Sequence, residues 1–162
     1  MKKIIPFLIL FLGTSLVYSK EIRKDGPYKI YYENGAIKEE GNYKNGQLEG
    51  IRRTYFVNGK IRTEENYKNG KGNGVFKEYY ENGRVLQIRG FKDNELHGAY
   101  RVFYPSGKLD QEANFVNGKH KGVSKRYFEN GNVMWEMTYD KNDKILREKI
   151  YNEKGELISK KK

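Results

Sequence analysis

The sequence predicts an all-β protein: an elongated, single-layer antiparallel meander of repeated β-hairpins, six units of 24 residues each. Three observations predict it. Turn tetrapeptides ending in glycine recur in phase, as Tyr32-Glu33-Asn34-Gly35, Phe56-Val57-Asn58-Gly59, Tyr80-Glu81-Asn82-Gly83, Tyr104-Pro105-Ser106-Gly107 and Phe128-Glu129-Asn130-Gly131, with Asn152-Glu153-Lys154-Gly155 closing the series. A second glycine column, Gly26, Gly50, Gly74, Gly98 and Gly122, opens the units at the same spacing. Between these breaks, apolar and polar residues alternate with the period of a half-buried strand. Each hairpin touches only its neighbours, so the sheet grows in one direction.

Taken in order, the chain begins with Lys2 and Lys3 ahead of the apolar run Ile4 to Val17, and Val17-Tyr18-Ser19 offers a cleavage site before Lys20. Residues 1–19 are therefore expected to be a secretory signal peptide. The run is too short for an anchor, since fourteen residues of helix span about 21 Å against a hydrocarbon core of roughly 30 Å. The repeat domain follows over 20–158. In each unit the Asn-Gly is expected to form a two-residue turn with positive φ at both central residues. A strand follows, with Ile37, Ile61, Val85, Leu109, Val133 or Leu157 at its start and Tyr43, Tyr67, Phe91, Phe115 or Tyr139 toward its end. A looser connection such as Lys44-Asn45-Gly46-Gln47-Leu48-Glu49 leads to the next unit, giving up to about twelve strands by this hairpin count. The last copy departs from the pattern: Leu146 replaces the opening glycine, so residues 146–158 are expected to form a capping hairpin and 159–162 a basic tail.

An opening Gly, an aromatic pair before x-Asn-Gly, an aliphatic residue and a closing Tyr-Lys-Asn-Gly together resemble the bacterial variant of the MORN repeat, over roughly residues 26–157. The resemblance implies a single-layered sheet of hairpins that serves as a scaffold or as a contact surface for protein or lipid. Through the YwqK-type proteins that carry such repeats, it also implies an antitoxin-like role. The kinase and methyltransferase domains that accompany these repeats in some proteins have no counterpart in the 162 residues here.

Strand alternation divides the unit into two faces. With a two-residue turn, Tyr32 pairs with Ile37, Ile30 with Glu39 and Lys29 with Glu40. One face then collects Phe76, Tyr80, Val85, Phe91, Tyr100, Val102, Tyr104, Leu109, Ala113, Phe115, Phe128, Val133, Trp135, Met137 and Tyr139. Its candidate partner-binding residues are Tyr80, Phe91, Tyr104, Phe115, Phe128, Trp135 and Tyr139, because one layer has nothing of its own to cover them. The opposite face carries the basic column Lys29, Arg53, Lys77, Arg101, Lys125 and Lys149 beside the aromatic column Tyr31, Tyr55, Tyr79, Phe103, Tyr127 and Tyr151. That basic column is a candidate anion-binding ladder, but the same register sets it against Glu40, Glu64, Glu112 and Glu136, which would take up the charge in cross-strand ion pairs. Lys77 facing Ile88 and Lys149 facing Lys160 are the expected exceptions.

Composition narrows the function. A formal charge of +11 favours acidic partners, and the absence of cysteine removes disulfides and thiolate chemistry. His97 and His120 lie in successive inter-repeat loops with no third ligand type clustered beside them, so no metal site is expected. Ser106, Ser124 and Ser159 lack an activating motif, and Glu39-Glu40 and Glu64-Glu65 point to opposite faces. The expectation is an exported or periplasmic binding module with no catalytic activity and no cofactor. Its expected partner is a protein, with neutralisation of a toxin as one form. Anionic lipid, an envelope polymer or self-association are the alternatives, and nucleic acid is not expected.

Overall fold

The computed structural model describes residues 25–161, so the signal peptide expected over 1–19 lies outside the described residues, as does Lys162. Fifteen strands form one antiparallel sheet, and no helix occurs among the described residues. β1 (Gly26–Tyr31) and β2 (Ile37–Lys44) make the first hairpin, and the two-residue β3 (Gln47–Leu48) leads into β4 (Gly50–Tyr55). β5 (Ile61–Lys68), β6 (Lys71–Gly72) and β7 (Gly74–Tyr79) repeat that pattern. β8 (Val85–Lys92) is followed by β9 (Glu95–Phe103), in which the short and long strands have fused. β10 (Leu109–Val116), β11 (Lys119–His120) and β12 (Val123–Tyr127) restore the pattern, and β13 (Val133–Tyr139), β14 (Ile145–Tyr151) and β15 (Leu157–Lys161) complete the sheet. Twelve strands follow one another along the sheet in chain order, with β3, β6 and β11 set to the side.

The turns are distributed differently from the expectation. At Tyr32-Glu33-Asn34-Gly35 the Gly35 N–H donates to the Tyr32 carbonyl at 3.0 Å, and the Tyr32 N–H donates to the Ala36 carbonyl at 2.8 Å. This is a three-residue loop with a glycine bulge, in which Gly35 takes φ 83° and Asn34 does not enter the left-handed region. Asn34 contributes through its side chain instead, its Oδ1 accepting from the Ala36 N–H at 3.1 Å. The two-residue turns lie in the connections expected to be loose. Asn45 (φ 53°) and Gly46 (φ 69°) are both left-handed, and Lys44 pairs directly with Gln47. The same geometry recurs at Asn69-Gly70, Asp93-Asn94 and Asn117-Gly118.

The register explains why the face assignments nevertheless survive in the strand bodies. The three-residue loop shifts the pairing by one residue, and a bulge between Ile30 and Tyr31 shifts it back, so Lys29 still pairs with Glu40 and Ile30 with Glu39. Between the two irregularities the shift remains. Tyr31, not Tyr32, pairs with Ile37, and Val85, Leu109 and Val133 oppose Tyr79, Phe103 and Tyr127 instead of joining the aromatic face.

Opening glycines serve a second irregularity. Gly26, Gly50, Gly74, Gly98 and Gly122 all have φ between 79° and 114°, and at the last four the incoming strand carries extra residues against its partner. The last junction lacks that device. Asp140 N–H donates to the Lys144 carbonyl at 2.9 Å, and Asp143 (φ 69°) fills the left-handed position, so Leu146 needs no positive φ. Ser159, Lys160 and Lys161, expected in a basic tail, form the outer half of β15 and pair with Ile150, Lys149 and Glu148.

Candidate protein-binding faces of the sheet

On the basic face a row of alternating charge crosses the sheet. Lys29 Nζ lies 3.3 Å from Glu40, Arg53 Nε 3.0 Å from Glu64 and Lys125 Nζ 3.4 Å from Glu136, as the register requires. Lys149 opposes Lys160 but turns to Glu136 on the other side, at 2.9 Å. Among the described residues, Lys77 and Arg101 make no ion pair within 4.0 Å; both oppose Ile88. On their other sides Lys77 pairs in register with Glu64 and Arg101 with Glu112, without an ion pair within 4.0 Å.

The glutamates have a further partner that alternation by itself does not reveal. Tyr55 OH donates to Glu40 at 2.6 Å, Tyr79 OH to Glu64 at 2.8 Å and Tyr127 OH to Glu112 at 2.6 Å. Each is a tyrosine of the next unit reaching back over the junction. A signal was present in the sequence: where the glutamate is replaced by Ile88, the tyrosine is replaced by Phe103, so no hydroxyl is left without its acceptor. The protonation states respond accordingly. Partial burial, then the hydrogen bond to a carboxylate, pushes Tyr55, Tyr79 and Tyr127 up to about 12. Glu64 is held below its ordinary value, first by the Tyr79 hydroxyl and then by Arg53, and Glu136 is lowered chiefly by Lys149.

The aromatic face is assembled from packed rings. Phe76 and Phe91 lie 4.5 Å apart between centroids, Tyr100 and Phe115 5.8 Å, Phe115 and His120 4.4 Å, and His120 stacks on Tyr139 at 4.0 Å. His120 Nδ1 also meets Asp143 at 2.8 Å, so this histidine is a structural member of the stack. Tyr80 and Tyr104 are tied down through their hydroxyls, which donate to the carbonyls of Phe103 and Tyr127, as Tyr32 does to Tyr55. Of the seven predicted partner-binding residues, Phe115 is buried at 9% exposure, while Tyr80, Phe91, Tyr104, Phe128, Trp135 and Tyr139 are half-buried. Large apolar side chains open to water also lie elsewhere: Ile51 (46%), Val75 (46%) and Val123 (41%) share a column beside the basic row.

A polar cluster that sequence reasoning did not single out sits at one end of the aromatic face. Arg52 grips Glu39 through Nε at 2.9 Å and Nη2 at 2.6 Å, and reaches Glu65 through Nη1 at 2.8 Å. Tyr28 OH donates to Glu39 at 2.7 Å and Tyr67 OH to Glu65 at 2.9 Å. Farther along, Arg126 Nε meets Asp110 at 2.9 Å. No group of three or more metal-ligating side chains occurs among the described residues.

No curated protein matches the chain. Among solved structures it is similar to a Staphylococcus aureus TarM mutant in complex with fondaparinux, alpha-GlcNAc-glycerol and UDP, with TM-score 0.38, 16% identity, and coverage of 59% of this chain and 19% of that one. A second TarM crystal structure matches with TM-score 0.36 and 16% identity, over 56% of this chain and 18% of that one. The chain thus spans less than a fifth of the length of either. The MORN repeat variant profile matches five times, over residues 24–45, 48–69, 73–93, 96–117 and 121–141, each match running from the opening glycine region to the following connection. These matches cover more than half of the sequence and fall in step with the hairpins, and the chain belongs to the MORN repeat variant family, whose repeats generally act as binding modules.

Proposed function

We propose that this protein is an exported protein-binding module whose aromatic face is completed by a partner, with antitoxin-like neutralisation as the form that binding takes. The observation that carries this reading is the shortage of buried side chains. Among the described residues only Gly72, Ala113, Phe115 and Ser124 are buried, although the sheet presents a continuous run of tyrosine, phenylalanine and tryptophan. A sheet face is ordinarily covered by a second layer, and half-buried aromatic side chains are the groups that give most on association. Export is supported by Lys2, Lys3 and the apolar run from Ile4 to Val17.

The test begins with cross-linking of the tagged, exported protein to isolate the partner, followed by a titration of two double variants. Tyr104→Ala with Trp135→Ala is expected to weaken binding at least tenfold more than Lys77→Glu with Arg101→Glu, at both low and moderate salt. The reverse order would move the partner to the basic face. A second reading, contact with anionic lipid or envelope polymer, is favoured by Lys77 and Arg101, the two cations of the row that make no ion pair within 4.0 Å among the described residues. It predicts vesicle binding that falls steeply with salt.

A further inference from the structure

Arg89 departs from the pattern by which the aromatic face handles charge. Arg52 is held by Glu39 and Glu65, and Arg126 by Asp110, whereas Arg89 forms no ion pair among the described residues. Its Nε is buried with no hydrogen-bond partner. Around it stand rings. Arg89 pairs across the ladder with Phe76 on one side and Tyr100 on the other, and its guanidinium carbon lies 5.7 Å from the Phe91 centroid. One period earlier the same two positions hold Arg52 and Glu65, a bonded acid–base pair. In Arg89's unit the carboxylate has given way to a cation and the opposing cation to Phe76, so the charge sits among aromatics without its counterion. Glu78, two residues along β7 from Phe76, already accepts from Gln87 Nε2 at 2.5 Å.

We propose that Arg89 is an anchoring site for a carboxylate side chain of the protein partner, an Asp or Glu flanked by apolar residues, docked at the middle of the aromatic face. This deepens the protein-binding reading above and rests on it. A guanidinium presents a planar fork that matches a carboxylate, and the fork is strengthened where surrounding rings exclude water. The rings of Phe76, Phe91 and Tyr100 would receive the apolar neighbours of that acid, while arginine and tyrosine are the residue types that dominate interface energetics. A lipid head group fits less well, because a flat bilayer meets the exposed cations of the opposite face without entering a ring-lined site.

The test is selection of random 12-residue peptides on the purified protein, followed by synthesis of the selected peptide and of its amide counterpart, Asp to Asn or Glu to Gln. Selection is expected to enrich acidic residues next to aromatic or aliphatic ones, and amidation is expected to weaken binding at least tenfold. Arg89→Gln should remove the discrimination between acid and amide, Arg89→Lys should retain part of it, and Lys92→Gln should leave it intact. The acid–amide comparison is made on the unaltered protein and so does not depend on how the variants fold. Peptides that are apolar without acidic enrichment, and lost in Tyr104→Ala, would overturn the carboxylate anchor while leaving the protein-binding reading standing. Binding to phosphatidylserine vesicles that depends on Arg89, without discrimination between acid and amide peptides, would also overturn it.

Discussion

Asn82 and Asn69 each precede a glycine, yet they do different work. Asn69 sits at φ 50° inside a two-residue turn, while Asn82 stays out of the left-handed region and uses its Oδ1 to accept from the Arg84 N–H at 2.9 Å. Glycine can replace the first role but not the second, so Asn82→Gly is expected to destabilise by about 1 kcal/mol more than Asn69→Gly in urea denaturation. Gly90 illustrates a different constraint: its φ is ordinary, but a Cβ there would stand 2.1 Å from the His97 carbonyl oxygen. That oxygen belongs to the backbone of the bulged β9, so it cannot rotate away as a side chain could. Gly90→Ala is expected to cost about 3 kcal/mol by overpacking, whereas Gly98→Ala, with open space but φ 89°, should cost about 1–2 kcal/mol through the left-handed backbone alone; urea midpoints for the two variants check both.

At the level of the hairpin, stability depends on side-chain rows that pass from one unit to the next. Glu64 joins Arg53 of its own hairpin to Tyr79 of the following one. Its carboxyl is held below the ordinary 4.5, so its contribution is present above that value and is lost as pH falls through the lowered one. The tyrosines act with the opposite sign. Tyr55, Tyr79 and Tyr127 are raised from 10.0 to about 12, so the stability they contribute is complete below pH 10 and declines as pH rises toward 12. The expected profile is a plateau from about pH 5 to 9.5 with a fall on either side. Glu64→Gln should flatten the acid limb and lower the Tyr79 midpoint in an absorbance titration. Arg52 is the more consequential member of such a row, since removing it strands two half-buried carboxylates; Arg52→Met is expected to destabilise by about 2 kcal/mol at neutral pH and less under acid, when the carboxylates are protonated.

Across the whole sheet, burial is concentrated near β10 and β12. Ala113 (3%), Phe115 and Ser124 (2%) lie there, while Leu157 and Ile158 on β15 are exposed at 53% and 64%. A sheet of stacked hairpins opens from its ends, because a terminal strand has a neighbour on one side only. Amide hydrogen exchange is therefore expected to be slowest in β9, β10 and β12 and fastest in β15. Phe115→Ala should accelerate exchange in the central strands as well, by removing the ring between Tyr100 and His120. Uniform protection along the chain would show that the sheet unfolds as one cooperative block.

The all-β meander, the 24-residue period, the division into two faces and the opposition of Lys29, Arg53 and Lys125 to glutamates were all legible in the residues, because hairpin patterning is local and the repeat displays it several times. What stayed hidden depends on irregular backbone. Asn-Gly permits both a two-residue turn and a three-residue loop with a glycine bulge, and the chemistry of the dipeptide does not choose between them; the choice is made by how each loop combines with the bulge beside it to keep the ladder in step. For that reason Val85, Leu109 and Val133 changed sides while Tyr80, Tyr104 and Trp135 did not. Contacts between units were equally out of reach of alternation, since the Tyr55–Glu40, Tyr79–Glu64 and Tyr127–Glu112 bonds and the Arg52–Glu39 bond join residues on strands that become neighbours only when hairpins stack. Tertiary structure also decided which charges remain unmatched. Arg89 and Arg52 are the same residue type on the same face, but Arg52 has Glu65 across one ladder and reaches Glu39 on the other side, whereas Arg89 has Phe76 and Tyr100, which separates an open cation from a satisfied one.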